Sequence, residues 1–384
     1  MDGPLRQLGL DDLRSRTSSK WRRFPPDVLP LWVAEMDCVL AEPVVATVGE
    51  AMARGDTGYA FGGSYKEAAA AFAEDRWGWR PSVADSRMVP DVMRGAVEVL
   101  RMLTDDGDGV VVNPPVYPPF FSFLAHGRRD VVSVPLGAGG RLDLGALAAA
   151  FARPEVTGFL LCSPHNPTGV VHTAAELREV ARLADHHGVA VVADEIHAPL
   201  TAAGVTFVPY LSLDEAASGV ALHSASKAFN LAGLKAAVAF AGGAAAPRLA
   251  AMPRVVGDGI SHVGIRAHVA AYREGGGWLD HLLDDLDENR RLFGELLAEH
   301  LPEVPYRAAE GTYLAWLDVR PLGLGEDPAA AFLEHGRVAF NAGHTFGAGG
   351  AGHVRVNLAT TPAILTEAVA RMAATVATRS VSDR

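Results

Sequence analysis

The sequence predicts an α/β fold, in which a mostly parallel sheet is covered by helices on both faces and joined to a smaller α/β unit. Three observations predict it. The middle of the chain holds four short apolar runs, DGVVVNPP, VTGFLLCSP, GVAVVADE and GVALHSAS, each ending in polar residues. Helical patterns such as AAELREVARLADHHG separate them, closed by Gly188, and short apolar runs alternating with helices are strands buried on both faces. The alternation then gives way to WLDHLLDDLDENRRLFGELLAEH, where Leu279, Leu282, Leu283, Leu286, Phe293, Leu296 and Leu297 fall mostly on one stripe at helical spacing.

At 384 residues the chain exceeds a minimal single core, so two packed units of unequal size are expected. Residues 1–45 read as an N-terminal segment packing with the small unit, 46–270 as the large domain and 271–384 as the C-terminal small domain. The long amphipathic helix leads from one into the other. The small domain's strands are GTYLAWLDV and GHVRVNLAT, and its two pieces come from both ends of the chain.

A net charge of −11 and a pI near 5.7 argue against a nucleic-acid or anionic-membrane partner, which would favour a concentrated basic face. The arginine pairs Arg22-Arg23, Arg128-Arg129 and Arg290-Arg291 read as solvated surface. Cys38 and Cys162 are too few and too far apart for a disulfide framework, which points to a reducing, cytoplasmic setting, and both read as small buried hydrophobes. No stretch reaches membrane-span length, and MDGPLRQLGLDD lacks the basic start and apolar core of a signal peptide.

Three fragments carry chemistry, and each follows an apolar strand. SPHNPTG supplies Asn166, VAVVADEIH supplies Asp194, and SASKAFNLAGLK supplies Lys227. In a parallel sheet, ligands bind beyond the carboxyl ends of the strands. A lysine, a buried-strand carboxylate and an Asn-Pro turn meeting there are what pyridoxal phosphate (PLP) requires. Lys227 would form the Schiff base and, once displaced by substrate, take the Cα proton. Asp194 would pair with the protonated ring nitrogen and make the ring an electron sink. Asn166, before Pro167 and Gly169, would hydrogen-bond the ring oxygen, and Tyr117 in PVYPPF would stack on the ring.

The phosphate needs helix-start N–H groups with hydroxyl or cationic side chains. VPDVMRGAVEVLRML begins a helix near Met93, which nominates the N–H groups of Arg94, Gly95 and Ala96, while Ser224, Ser226 and Lys235 come from the lysine motif. A surface lysine is as good a reading of Lys235. Glu195 and His197 read as support beside the cofactor. Arg355 in HVRVNLA, an inward charge among apolar neighbours, reads as the clamp for a substrate α-carboxylate. Gly347, Gly349 and Gly352 match GxGxxG, but they precede a strand instead of linking strand to helix, so they read as a loop. His186-His187, His262 and His268 lack the spacing and company of a metal site.

Together these residues resemble fold-type I PLP enzymes of the aminotransferase class I/II superfamily. More narrowly they resemble the MalY/PatB group of cystathionine β-lyase-like carbon–sulfur lyases. The resemblance covers almost the whole chain through SSKW at Lys20, LPLWVAEMD, GDTGYAFG at Tyr59, GDGVVVNPPVYPPF, HNPTG, DEIH, SASKAFNLAGL, EGTYLAWLD and NAGHTFGAGGAGHVRVNLAT. It implies a seven-stranded large-domain sheet and a homodimer with shared active sites, in which Tyr59 reaches the partner's cofactor phosphate and serves catalysis. It implies a small amino-acid substrate approached by residues near Gly311 and Tyr313. The chain departs from the group at Asp91-Val92-Met93-Arg94 on the phosphate helix, at Glu35 and at Cys38.

The leading reading is α,β-elimination on an S-substituted L-cysteine, giving a thiol, pyruvate and ammonia. Removal of the Cα proton is common to transamination, so an aminotransferase is the second reading, and decarboxylating deamination in secondary metabolism belongs beside it. A regulatory PLP-fold protein is the third, disfavoured by the presence of Lys227, Asp194 and Arg355 together.

Overall fold

The computed structural model describes residues 3–382. Its strands are β1 (Leu29–Pro30), β2 (Ser86–Val89), β3 (Gly109–Val112), β4 (Asp130–Ser133), β5 (Val156–Cys162), β6 (Ala190–Asp194), β7 (Val220–His223), β8 (Ala237–Ala241), β9 (Leu314–Asp318), β10 (Val338–Ala339), β11 (Asn341–Ala342) and β12 (His353–Asn357). Seven of them form one sheet in the order β2-β8-β7-β6-β5-β3-β4. β8 alone runs against the direction of the other six.

Side-chain alternation buries both faces of this sheet. Val110, Val112, Leu160, Val192 and Leu222 point to one side and pack with Ala96, Val99 and Leu100 of helix Val92–Leu103. Val111, Phe159, Leu161, Val191 and Ala221 point to the other, against helices Leu144–Phe151 and Ala174–His187. Sequence chemistry sets the ends of the latter helix. Thr173 and Glu176 exchange side-chain and backbone bonds as a capping box, and Gly188 closes it in the left-handed region at φ 70°.

A separate apolar cluster joins Leu13, Trp21, Leu29 and Leu31 from the N-terminal segment to Phe293 and Leu297 of helix Gly276–His300 and to Leu317, Val354 and Leu365. Its strands are the antiparallel set β11-β12-β9 and the parallel pair β1-β10.

Two of the three arginine pairs depart from the surface reading. Arg129 is buried and bonds Thr104 Oγ1, the Thr104 and Gly127 carbonyls and Asp106. Arg290 is buried and donates to the Thr312 carbonyl and to Asp287. In both, the guanidinium fork collects carbonyl oxygens that the fold leaves without partners, and pair spacing alone carries no trace of that.

The turn after β5 is tightly tied. Gly169 sits at φ 69°, and a Cβ there would lie 2.4 Å from Ala309 Cβ. Its carbonyl accepts the Gly311 N–H at 2.8 Å. Gly169→Ala is therefore expected to cost about 2–4 kcal/mol of stability, read as a lowered denaturation midpoint.

Candidate active site

The carboxyl ends of β3, β5, β6 and β7 open on one cavity of about 230 Å³. Its walls include Tyr117, Asn166, Asp194, His197, Ser226, Lys227 and Lys235, with Ala34, Asp91, Val92, Met93, Phe123, Cys162 and Ile196. The strands thus bring together the three fragments that the sequence singles out.

Lys227 Nζ donates to the Ala34 carbonyl at 2.8 Å. Burial, with the neighbouring positive charge of Arg355, lowers its pKa to about 8, so a reactive neutral fraction exists at ordinary pH. Capture of an aldehyde by this amine is expected to rise with pH and reach half its maximum near pH 8, followed as the pH dependence of the visible absorbance formed on adding cofactor.

Asp194 caps β6 and accepts the Ile196 N–H at 3.1 Å. Burial raises its pKa to about 6, although that hydrogen bond and Lys227 oppose the shift. A carboxylate this desolvated is poised to accept a cation. His197 lies with its ring edge-on to Tyr313 at 6.0 Å. Burial, then the charges of Lys227 and Arg355, hold it well below the usual histidine range and neutral.

Asn166 and Arg355 are directly joined. Arg355 Nη1 donates to Asn166 Oδ1 at 3.0 Å and Nη2 to the Trp32 carbonyl at 3.1 Å. With its oxygen so used, the Asn166 amide turns its N–H₂ elsewhere as a donor. The Arg355 guanidinium lies over the Phe346 ring at 5.2 Å. Burial lowers its pKa only to about 10, so it stays charged at neutral pH.

At the opposite end, the helix starts at Val92 with Asp91 as its N-cap. This differs from the expected start near Met93 and engages two of the three nominated N–H groups. The Arg94 N–H donates to Asp91 Oδ1 at 2.9 Å and the Gly95 N–H to the Asp91 carbonyl at 2.8 Å, while Ala96 lies deeper in the helix. Because the helix begins one residue before the expected start, the N–H groups without an intrahelical acceptor are those of Val92 and Met93, at the cavity wall. Lys235 Nζ reaches the same end and pairs with Asp91 Oδ2 at 2.7 Å.

Ser224 stands behind the lysine turn. Its hydroxyl donates to the Ala236 carbonyl at 2.7 Å and accepts the Ser226 N–H at 3.2 Å, bracing the lysine turn from behind, and Ser226 is the serine at the cavity. Gly311 and Tyr313 also stand back from the cavity wall. Gly311 packs on Pro164 and Val171, and Tyr313 Oη donates to the Ala34 carbonyl at 2.9 Å. Tyr59 is 98 % exposed and contributes nothing to the cavity of its own chain.

Sequence reasoning missed three contributors. Cys162 is buried as expected, but its Sγ lines the cavity and accepts the Asn166 N–H at 3.3 Å. Asp91 and Ala34 gave no usable signal, since an N-cap acid and a backbone carbonyl look ordinary in a sequence. Glu195 stands behind the site, accepting the Tyr210 N–H at 2.7 Å and lying 2.8 Å from His223 Nε2.

Residues 64–372 match the family described as aminotransferase class I and II, and the chain belongs to that family. It is 53 % identical over 390 residues to a "Putative cystathionine beta-lyase" of Mycobacterium leprae (strain TN), covering 96 % of this chain and 97 % of that one. It is 32 % identical to the cystathionine beta-lyase PatB of Bacillus subtilis (strain 168), over 91 % of this chain and 92 % of PatB. Among solved structures, a "putative plp-dependent beta-cystathionase" from Corynebacterium diphtheriae superposes with a TM-score of 0.92 at 34 % identity, covering 97 % and 99 % of the two chains. The scaffold is that of fold-type I PLP-dependent enzymes, as the motifs imply.

The residues present fit that group. The cavity joins an acid able to meet a ring nitrogen, a lysine of lowered pKa and, at its other end, two uncommitted helix N–H groups beside Lys235 and Ser226.

Proposed function

We propose that this chain is a PLP-dependent carbon–sulfur β-lyase that cleaves an S-substituted L-cysteine, such as L-cystathionine, to a thiol, pyruvate and ammonia with uptake of water. The observation that carries the proposal is the meeting of Lys227, Asp194 and Asn166 at one cavity, with Arg355 bonded to Asn166 from behind its wall. The cystathionine β-lyase names of relatives spanning nearly the whole chain set the reaction class. Val92 and Met93 N–H groups, Ser226 and Lys235 would hold the phosphate, Asp194 the ring nitrogen, Asn166 the ring oxygen, with Tyr117 against the ring. PLP bound there would supply an aldehyde for the substrate amine and a ring that draws electron density from Cα.

The chain's own residues do the rest. Arg355 seats the substrate carboxylate through its guanidinium fork. Lys227, neutral, takes the Cα proton as the Cβ–S bond breaks and the thiolate departs. Asp194, ionised, favours the protonated ring nitrogen, and His197 adds no competing charge.

The same reading makes the enzyme a homodimer with shared sites. Tyr59 and Phe61, two residues apart, are 98 % and 88 % exposed, and this pair of exposed aromatics supports that reading. Val255 and Arg94 line a cleft of about 570 Å³ on the outer side of helix Val92–Leu103. Tyr59→Ala is expected to leave the sedimentation coefficient dimeric while weakening cofactor binding about tenfold, the scale of one lost hydrogen bond to a charged group. The chain divides at about residues 45 and 270, the N-terminal segment packing with the C-terminal unit in support. Two unpaired, buried cysteines support a cytoplasmic setting.

The test is the absorbance spectrum of the purified protein, followed through addition of L-cystathionine with thiol and pyruvate assays. A cofactor band with release of both products is expected. A band that bleaches to the pyridoxamine form without thiol assigns an aminotransferase instead.

A further inference from the structure

The site described above uses WVAEMD only through the Trp32 and Ala34 carbonyls and SSKW not at all, yet the structure ties the two motifs together beside it. Lys20 Nζ and Asp37 Oδ2 form an ion pair at 2.7 Å with side chains 0 % and 1 % exposed. Trp21 Nε1 donates to the other Asp37 oxygen at 2.9 Å, and Lys20 Nζ also donates to the Glu35 carbonyl at 3.0 Å. We propose that residues Trp32–Cys38 form a strap that positions the Lys227 amine through the Ala34 carbonyl, with the buried Lys20–Asp37 pair as its anchor. Lys20 and Asp37 are thereby positioning residues for the reaction, an inference that rests on the lyase reading of Lys227.

The strap leaves β1 at Pro30 and joins no sheet, so its backbone groups are satisfied largely by side chains. Asn357 Nδ2 serves the Val33 and Glu35 carbonyls at 2.8 and 2.7 Å. Asn230, three residues beyond Lys227 and at φ 57°, grips both the N–H and the carbonyl of Met36. Arg16 holds the Met36 and Cys38 carbonyls. The strap is therefore fastened both to the lysine turn and to the N-terminal segment.

Its position matters because a lysine amine on a flexible stem must be held to act as a base at one carbon. The Ala34 carbonyl takes one N–H of Lys227 at 2.8 Å, and the same oxygen is braced by Tyr313 Oη at 2.9 Å. An acceptor on one side of the amine leaves its other positions for the cavity. A displacement of about 1 Å in such an arrangement can cost roughly 10²-fold in rate. A buried ion pair adds little net stability over an apolar pair of similar size, so stability is a poor reason for this one. The strap and its anchor also lie before residue 64, where the match to the aminotransferase family begins.

The test uses the holoenzyme and the double variant Lys20→Met/Asp37→Leu, which removes the pair without stranding a buried charge. Three quantities are measured: the rate at which added PLP is captured by Lys227, kcat and KM per bound cofactor, and hydrogen exchange of residues 32–38. The expected result is capture and kcat both slowed about tenfold or more, with kcat falling by a larger factor than KM rises, and faster exchange in the strap. Capture and kcat within about twofold of wild type would overturn the anchor while leaving the lyase reading intact. A wild-type protein that captures no PLP sinks both. Should the double variant not fold, Trp21→Phe, which deletes one bond to Asp37 and keeps the pair, is expected to slow capture about two- to fivefold, and an unchanged rate rejects the proposal.

Discussion

Lys227→Ala is expected to lower kcat for thiol and pyruvate release by at least about 10³-fold, the upper part of the range for losing a positioned acid–base group, and to abolish the lysine-bound cofactor spectrum. Among the described residues no other amine is placed to take over. Lys235, the second lysine on the cavity wall, is paired with Asp91 at the opposite end. Lys227 also combines two properties that a replacement would have to reproduce, burial that brings its pKa to about 8 and an acceptor at 2.8 Å that fixes its direction. Added methylamine tests the chemistry: partial rescue of pyruvate release in Lys227→Ala would show that a free amine alone supplies the missing base. Retention of near-wild-type kcat would remove Lys227 from the mechanism.

Asp194→Ala is expected to cost about 10²–10³-fold in kcat, the scale of a lost preorganised electrostatic partner in a water-poor site, with cofactor binding weakened as well. Asp194 sits at the end of a strand, desolvated and raised to about 6, with the Ile196 N–H as its one hydrogen-bond donor. The sign of the pH effect follows from that shift. In the cofactor-free protein the folded-state pKa lies above the unfolded one, so the stability linked to this group is full below about pH 4 and is lost as pH rises to about 6. A bound cation reverses the balance. The increase in Tm on adding PLP should therefore have a component that grows between about pH 4 and 6 and is missing in Asp194→Ala. The same increase at all pH values in both proteins would remove Asp194 as the ring partner.

Most of the scaffold was legible because buried strands announce themselves. β3, β5, β6 and β7 fall within the apolar runs quoted from the sequence, and Asn166, Asp194 and Lys227 follow them by the logic of parallel sheets. What stayed hidden depends on one-residue offsets and on backbone atoms. The helix proposed to meet the phosphate begins at Val92 because Asp91 caps it, which moves the available N–H groups to Val92 and Met93 from the expected Arg94, Gly95 and Ala96. That the Ser224 hydroxyl donates to the Ala236 carbonyl was equally hidden. Arg129 and Arg290 looked solvated, and only tertiary packing shows which carbonyls they serve. The strap was invisible for a similar reason, because its contribution to the cavity comes from the Ala34 main chain.

The hydrogen bond between Arg355 and Asn166 has a practical meaning for anyone redesigning this enzyme. Shortening Arg355 to admit bulkier or neutral substrates would also free the Asn166 amide to rotate, and with it the donor proposed for the ring oxygen. On the proposed roles, selectivity at the carboxylate end and the hydrogen bond to the ring are therefore coupled through one contact. Libraries that vary position 355 without co-varying position 166 will sample altered specificity and damaged chemistry together.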